Sequence, residues 1–100
     1  MDIKEFQKMC SGIVSKLDEK YKVDRDGQLA FVQLVEELGE LAKEVNRKKL
    51  RKAEPDNKNL SGEFADVFLQ LAKLAEMNNI DLENAVTEKI KELKERGYLN

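Results

Sequence analysis

The chain has 100 residues, which is the length of one small domain. Its 18 basic and 20 acidic side chains nearly cancel, which argues against the basic surface of a nucleic-acid-binding protein. The N-terminus lacks the apolar core of a signal peptide, and no run of about 18 apolar residues is present. We therefore expect a soluble, cytoplasmic protein with neither a nucleic-acid nor a membrane partner. Its single cysteine, Cys10, excludes an intrachain disulfide and is predicted to be a small buried hydrophobe.

Apolar side chains recur at helical spacing in four segments, of which the first runs from Asp2 to Tyr21 with Asp2 as its N-cap. The second helix is predicted from Gln28 to Leu50, after a polar connection that breaks the apolar pattern. Basic residues cluster at the end of this helix, which suits the negative end of a helix dipole. We interpret three of them as solvated helix-end charges: Arg47, Lys48 and Lys52.

The third helix is predicted from Leu60 to Met77, with Asn59 or Ser61 as its cap and Pro55 as the stop signal of the preceding loop. Apolar side chains cover nearly its whole circumference, which is typical of a helix that is buried on several sides. Three other helices in one short chain could hardly cover it. We therefore predict that a second subunit packs against the third helix.

The fourth helix is predicted from Leu82 to Arg96, with Asp81 as its N-cap and Gly97 as its end. No strand pattern and no internal repeat is present in the sequence. The predicted fold is therefore all-α, a four-helix bundle core in a single domain over residues 1–100. A lone domain of this size buries only about 60% of its unfolded surface, so we expect it to assemble as a homo-oligomer.

Two acidic clusters interrupt otherwise apolar stretches of the second and third predicted helices. The first contains Glu36, Glu37 and Glu40, and the second contains Glu63 and Asp66. A helix advances about 100° per residue, so the acids of each cluster share one edge of their helix. Antiparallel packing of the two helices would bring these edges together. Converging carboxylates repel each other and are costly to desolvate unless a cation joins them.

The absence of histidine from the chain restricts which cation and which chemistry this site can have. It excludes Glu-x-x-His di-iron sites and nucleophilic triads, and it disfavours catalytic zinc. No glycine-rich phosphate loop is present either. Oxygen ligands alone favour Mg²⁺ or Mn²⁺. Metal-assisted chemistry on a phosphate-bearing substrate and purely structural metal binding both remain open at this point.

The residues Glu36-Glu37-x-x-Glu40 followed by Glu63-x-x-Asp66 resemble the signature of the MazG-like, all-α nucleotide pyrophosphohydrolases. The resemblance extends roughly from Gln28 to the C-terminus. It implies a four-helix core that forms a dimer or a pair of dimers, with the active site at a subunit contact. It also implies Mg²⁺-dependent hydrolysis of a nucleoside triphosphate to the monophosphate and pyrophosphate, with non-standard nucleotides among the expected substrates.

The same resemblance implies roles for individual residues. The metal ligands would be Glu37, Glu40, Glu63 and Asp66, with Glu36 as a further ligand or an orienting acid. Glu36 or Glu37 would act on the attacking water. Basic residues near the end of the last helix would contact phosphates, and the matching positions here are Lys89, Lys94 and Arg96. On residue type alone, pairing of these three with glutamates on a solvated helix face is the favoured interpretation.

Two alternatives to this function remain. One is a non-catalytic helical module for oligomerisation or interaction, because a shared fold does not establish an activity. The other is hydrolysis of a different phosphoanhydride, such as phosphoribosyl-ATP. The chain has no tryptophan to stack on a nucleobase, a departure from several relatives. The aromatic candidates for that position, which would equally suit the core, are Phe6, Phe31 and Tyr98.

Overall fold

The computed structural model describes residues 1–54 and 56–99, and within these ranges it contains five α-helices and no strand. The helices are α1 (Ile3–Tyr21), α2 (Gly27–Val45), α3 (Arg47–Arg51), α4 (Asn57–Met77) and α5 (Leu82–Glu95). The prediction of an all-α fold is confirmed. None of the described helices combines the length and the apolar character that crossing a bilayer requires.

The fourth helix, α4, lies at the centre of the chain, because α1 and α2 both pack against it. The last helix, α5, rests mainly against α1, and the short α3 contacts α2. The core of a single chain therefore consists of three helices with α5 at its margin, rather than four equivalent helices. The arrangement places α2 and α4, the two helices that carry the acidic clusters, side by side.

The second predicted helix is interrupted at Asn46, where the structure ends α2 and begins α3. The Asn46 side-chain amide donates a hydrogen bond of 2.9 Å to the carbonyl of Ala42, and its backbone has ψ near 9°. Asparagine side chains compete with helical backbone hydrogen bonds in this way, which explains the break. The basic residues that follow consequently belong to a separate short helix.

Aspartate side chains begin the four long helices. The predicted caps Asp2 and Asp81 are confirmed, since their carboxylates accept from the backbone amides of Glu5 at 2.8 Å and Asn84 at 3.2 Å. The helix α4 begins earlier than predicted, because Asp56 accepts from the amides of Lys58 and Asn59. The predicted caps Asn59 and Ser61 are therefore wrong, and both residues lie within α4. The predicted stop signal, Pro55, lies outside the described residues.

A buried glutamine joins α1 to the turn between α4 and α5. The side chain of Gln7 donates to the carbonyl of Ile80 at 2.7 Å and to the carboxylate of Glu76 at 3.1 Å. Its own carbonyl oxygen accepts from the backbone amide of Leu82 at 2.8 Å. Every polar atom of this buried side chain is thus paired, which is the condition for burying it without a large cost. The contact fixes where α5 starts relative to α1.

The buried core of the single chain is small and consists of Cys10, Val14, Ala30, Ala72 and Ala75. The predicted burial of Cys10 is confirmed, and this burial raises the pKa of its thiol. The chain exposes 7714 Å², whereas a compact monomer of this mass exposes about 5,800 Å². Its radius of gyration is 16.3 Å, compared with about 13 Å for a compact domain of this length. Much apolar surface on α1, α2 and α5 therefore lies open in the isolated chain.

A buried arginine in the α1–α2 connection joins three helices. The Arg25 guanidinium donates to both carboxylate oxygens of Asp18, at 2.6 and 2.9 Å. It also donates to the side-chain oxygens of Gln33 on α2, at 2.6 Å, and Gln70 on α4, at 3.2 Å. Its side chain is only 6% exposed. Because Gln33 precedes Glu37 by one turn and Gln70 follows Asp66 by one turn, Arg25 holds α2 against α4 directly beside the acidic clusters.

The Arg25–Asp18 pair generates a pH-dependent stability. The hydrogen bond from Arg25 lowers the pKa of Asp18, and the charges of Arg25 and Lys73 act in the same direction against the effect of burial. A lowered folded-state pKa means that the charge of Asp18 stabilises the fold above its unfolded pKa of about 4. That stabilisation is lost as the pH falls through the lowered value.

We expect Arg25→Gln to reduce the free energy of unfolding at pH 7 by about 3 kcal/mol, because it leaves Asp18 charged without its partner. The difference from the wild type should shrink as the pH falls through the lowered pKa of Asp18, where the carboxyl is neutral in both proteins. Urea unfolding measured from pH 7 down to the lowest pH at which the protein remains folded follows both effects. Lys16→Gln, which removes an exposed cation from α1, is the control and should change the free energy little. A loss that is independent of pH would contradict the assignment.

Candidate metal and phosphate site

Three of the five predicted acids converge between α2 and α4. One carboxylate oxygen each from Glu37, Glu63 and Asp66 can be chosen so that all three lie within 4.8 Å of one another. Glu37 comes from α2, and the other two come from successive turns of α4. Glu37 and Glu63 are half-buried, whereas Asp66 is exposed. We call these three residues the acidic triad; its role as a metal site stays a prediction.

Burial and neighbouring negative charges both act on Glu37 of the acidic triad. The pKa of Glu37 is raised, first by desolvation and then by the negative charges of Asp66, Glu63, Glu40 and Glu36. Glu37 is therefore the acid on which the repulsion of all the others acts. Three carboxylate oxygens at this separation, with neither histidine nor thiolate near them, form a donor set that fits a hard divalent cation.

The other two predicted acids lie beside the acidic triad and not within it. Glu36 is exposed and precedes Glu37 on α2. Glu40 lies one turn further along α2, where its carboxylate is 4.0 Å from the amine of Lys43. Both acids contribute to the raised pKa of Glu37, so their charges act on the acidic triad although their oxygens do not complete it.

A cavity of about 320 Å³ opens beside the acidic triad and shares Glu63 with it. It lies between the end of α2, the short α3 and the beginning of α4. We call it the charged cavity, because its lining carries charged side chains of both signs: Glu40, Lys43, Glu44, Arg47, Arg51 and Glu63. Carboxylates and cations along one cavity can bind an ion and an anionic ligand next to each other.

The structure does not bring the predicted phosphate-binding residues of α5 to this cavity. Lys89 and Arg96 lie against Glu92 of the same helix, at 3.2 and 3.5 Å, and Lys94 is exposed. Since α5 rests mainly against α1, these residues and the acids belong to different parts of one chain. Their role in binding phosphate stays a prediction.

Sequence reasoning missed two features of this site. The first is Arg25, which lies in a connection with no pattern of its own. Its partners Gln33 and Gln70 continue the acidic edges of their helices, and this was the one available signal. Arg47 was interpreted as a solvated charge, whereas it is half-buried and lines the charged cavity with Arg51. The break at Asn46, which separates α3 from α2, was the missing information in the second case.

Comparison with known proteins identifies the family of this sequence. Residues 27–97 match the MazG nucleotide pyrophosphohydrolase domain, a segment that contains both acidic clusters. The chain is also 46% identical over 58 residues to the uncharacterized protein YpjD of Bacillus subtilis strain 168. That similarity covers 55% of this chain and 52% of the relative, so the chain spans about half the length of the curated relative it matches. No solved structure matches the chain significantly. Because the matched domain spans most of its length, the chain belongs to the MazG nucleotide pyrophosphohydrolase family.

Proposed function

We propose that this protein is a cytoplasmic, Mg²⁺-dependent nucleoside triphosphate pyrophosphohydrolase, which cleaves a (d)NTP to the (d)NMP and pyrophosphate. The observation that supports it most directly is the convergence of the acidic triad in a member of this family. An acidic site repels a polyanionic substrate, so the triad suits this chemistry only with a cation. We further propose that non-standard nucleotides are among the substrates.

The residues present fit a divalent cation. Glu37, Glu63 and Asp66 would hold it, and we propose Glu40, on the wall of the adjoining cavity, as a fourth carboxylate. Mn²⁺ would suit the same oxygen ligands. When bound, the ion would offset the charge of the phosphate oxygens and make the phosphorus more electrophilic.

The remaining acid can serve the hydrolysis step. Glu36 is exposed beside Glu37 and lies outside the acidic triad, so it is free to accept a proton from water. We assign it the role of orienting the water that attacks the α-phosphorus, with Glu37 as the other candidate. The water oxygen forms a bond to the α-phosphorus, the bond from that phosphorus to the bridging oxygen breaks, and pyrophosphate leaves.

The open apolar surface supports a homo-oligomer, either a dimer or a pair of dimers. The chain exposes roughly 1,900 Å² more than a compact monomer of its mass, which is the scale of an obligate interface. Phe68, Leu71, Val86 and Ile90 line an apolar groove of about 470 Å³ between α4 and α5. A second copy of the chain would cover such a surface, and it would also offer a route by which Lys89, Lys94 and Arg96 reach a partner's acids.

Purified protein incubated with Mg²⁺ and a panel of standard and damaged nucleoside triphosphates should release the monophosphate and pyrophosphate. Glu40→Gln and Asp66→Asn should each reduce turnover at least about 100-fold, because they weaken stabilisation of the phosphate charge. Glu19→Gln, an exposed acid on α1, is the control and should retain activity. Chromatography of the products with a separate assay for pyrophosphate measures the result. Turnover of phosphoribosyl-ATP alone would favour a different phosphoanhydride, and no turnover at all would favour a non-catalytic module.

Glu37→Gln should stabilise the protein in EDTA and abolish its response to Mg²⁺. The raised pKa means that the charge of Glu37 costs stability once the pH exceeds its unfolded pKa of about 4.3. Removing that charge should raise the melting temperature at pH 7 by about 4 °C, for a gain of about 1 kcal/mol. The wild type should gain about 2.7 kcal/mol at Mg²⁺ concentrations 100-fold above Kd, whereas the variant should gain little. Differential scanning fluorimetry measures both; a full Mg²⁺ response in the variant would contradict the ligand assignment.

Val86→Glu should shift the protein to a smaller species, because it places a charge in the apolar groove between α4 and α5 that we propose a second copy covers. Size-exclusion chromatography with light scattering over a range of protein concentrations measures the mass. Lys91→Glu, an exposed position on the same helix, is the control and should leave the assembly intact. A wild type that is monomeric at every concentration would contradict the proposed oligomer.

A further inference from the structure

We propose that the charged cavity is the subsite for the pyrophosphate portion of the substrate, and that Lys43, Arg47 and Arg51 bind its β- and γ-phosphate oxygens. This inference rests on the proposed pyrophosphohydrolase function. It assigns the leaving group to a specific part of the molecule, which differs from the basic end of α5 that the sequence suggested.

The charged cavity begins beside the acidic triad. Its wall includes Glu63, a member of the acidic triad, and Glu40, so it begins where the cation would be held. A phosphate chain that touched the cation could continue directly into the cavity. The volume of about 320 Å³ lies at the lower end of the roughly 300–1,000 Å³ typical of ligand sites, which suits a fragment of a nucleotide better than the whole.

The three cations are available to a ligand, because their existing partners hold them weakly. The amine of Lys43 is 4.0 Å from Glu40, and both side chains are 56% exposed, a geometry worth little stability. Arg47 approaches Glu44 at 3.4 Å, which is long for a charge-assisted hydrogen bond. Among the residues that the structure describes, Arg51 makes no ion pair. Arginine forks match phosphate oxygens well, so a phosphate would bind them better than these contacts do.

The net charge of the cavity lining depends on whether a cation is bound beside it. It carries three carboxylates, Glu40, Glu44 and Glu63, and three cations, so the two signs cancel in the absence of ligands. A divalent cation at the edge would make the cavity net positive, and the cavity would then attract an anion. Binding of pyrophosphate there should consequently depend on Mg²⁺.

A helix dipole alone does not explain these residues. Cations are favoured at the end of any helix, and that rule applies equally to Lys48, Lys49 and Lys52. Those three are exposed and do not line the cavity, whereas Arg47 and Arg51 are four residues apart on one face of α3 and do line it. The short helix thus offers its own matched controls.

The test is calorimetric titration of inorganic pyrophosphate into the protein with and without Mg²⁺. Arg51→Gln should weaken binding roughly tenfold, and Arg47→Gln with Arg51→Gln roughly 100-fold, because each removes a charge-assisted hydrogen bond. Lys48→Gln with Lys49→Gln removes the same charge from the same helix and should change the affinity less than about twofold. The affinity for the nucleoside monophosphate should stay unchanged in all variants. In turnover, the arginine variants should raise KM for the triphosphate more than they lower kcat.

Equal losses in the two double variants would overturn the inference, since they would indicate a general effect of charge. Retained pyrophosphate affinity in Arg51→Gln would also overturn it, and this exposed side chain can be removed with little risk to the fold. A loss confined to Lys89→Gln, Lys94→Gln and Arg96→Gln would place the subsite on α5 instead. If the wild type hydrolyses triphosphates but the arginine variants bind pyrophosphate normally, only this inference fails. If the wild type neither hydrolyses triphosphates nor binds pyrophosphate, the proposed function fails with it.

Discussion

The contact between α2 and α4 is the constraint on which the rest of the structure depends, because it forces acidic edges of two helices together. The repulsion that this creates falls on Glu37. One turn away from the acidic triad, the Arg25 guanidinium holds the two helices together despite this repulsion. It donates hydrogen bonds to a glutamine on each helix and to Asp18 of α1. A buried cation thus holds the helices in register next to an uncompensated negative site. A divalent cation would relieve the repulsion among these carboxylates. Without a cation, the hydrogen bonds of Arg25 still hold α2 against α4.

The acidic triad and the cations of the charged cavity occupy successive parts of the site, although Glu40 and Glu44 lie among the cations. The acidic triad occupies the middle of α2 and the first half of α4, and the cations follow at the C-terminal end of α2 and on α3. In the proposed function, a cation would be held by the acidic triad, and the terminal phosphates would lie beside the cations of the charged cavity. The break at Asn46 contributes to this arrangement, because it makes the segment with Arg47 and Arg51 an independent element beside Glu63.

The sequence predicted those parts of the structure that follow from local rules. The caps Asp2 and Asp81 and the helices they begin depend on a side chain and its nearest amides, so they could be identified from neighbouring residues. The meeting of Glu37 with Glu63 and Asp66 followed from helical phase and from the packing of adjacent helices. The start of α4 was missed because Asp56 follows Pro55, which was interpreted as part of a loop.

What could not be predicted depends on contacts between residues distant in the chain. Arg25 looked like a loop residue because nothing within its own segment shows that three helices converge on it. The cationic wall was missed because a single side-chain hydrogen bond at Asn46 decides whether the segment from Arg47 continues α2. The predicted binding of phosphate by Lys89, Lys94 and Arg96 depends on a second subunit. The position of such a subunit cannot be inferred from the sequence of one chain.

The role of α1 has a consequence for where this domain begins. The matched family segment starts at residue 27, yet α1 supplies the buried Gln7, Cys10 and Val14. It also supplies Asp18, the only carboxylate partner of Arg25 among the described residues. A chain shortened to the family segment would lose Arg25 as well as Asp18, and it would leave the carbonyl of Ile80 and the side-chain oxygens of Gln33 and Gln70 without these partners. The packed unit therefore extends beyond the segment that carries the family's sequence signature, and α1 supplies part of the core against which the signature helices pack.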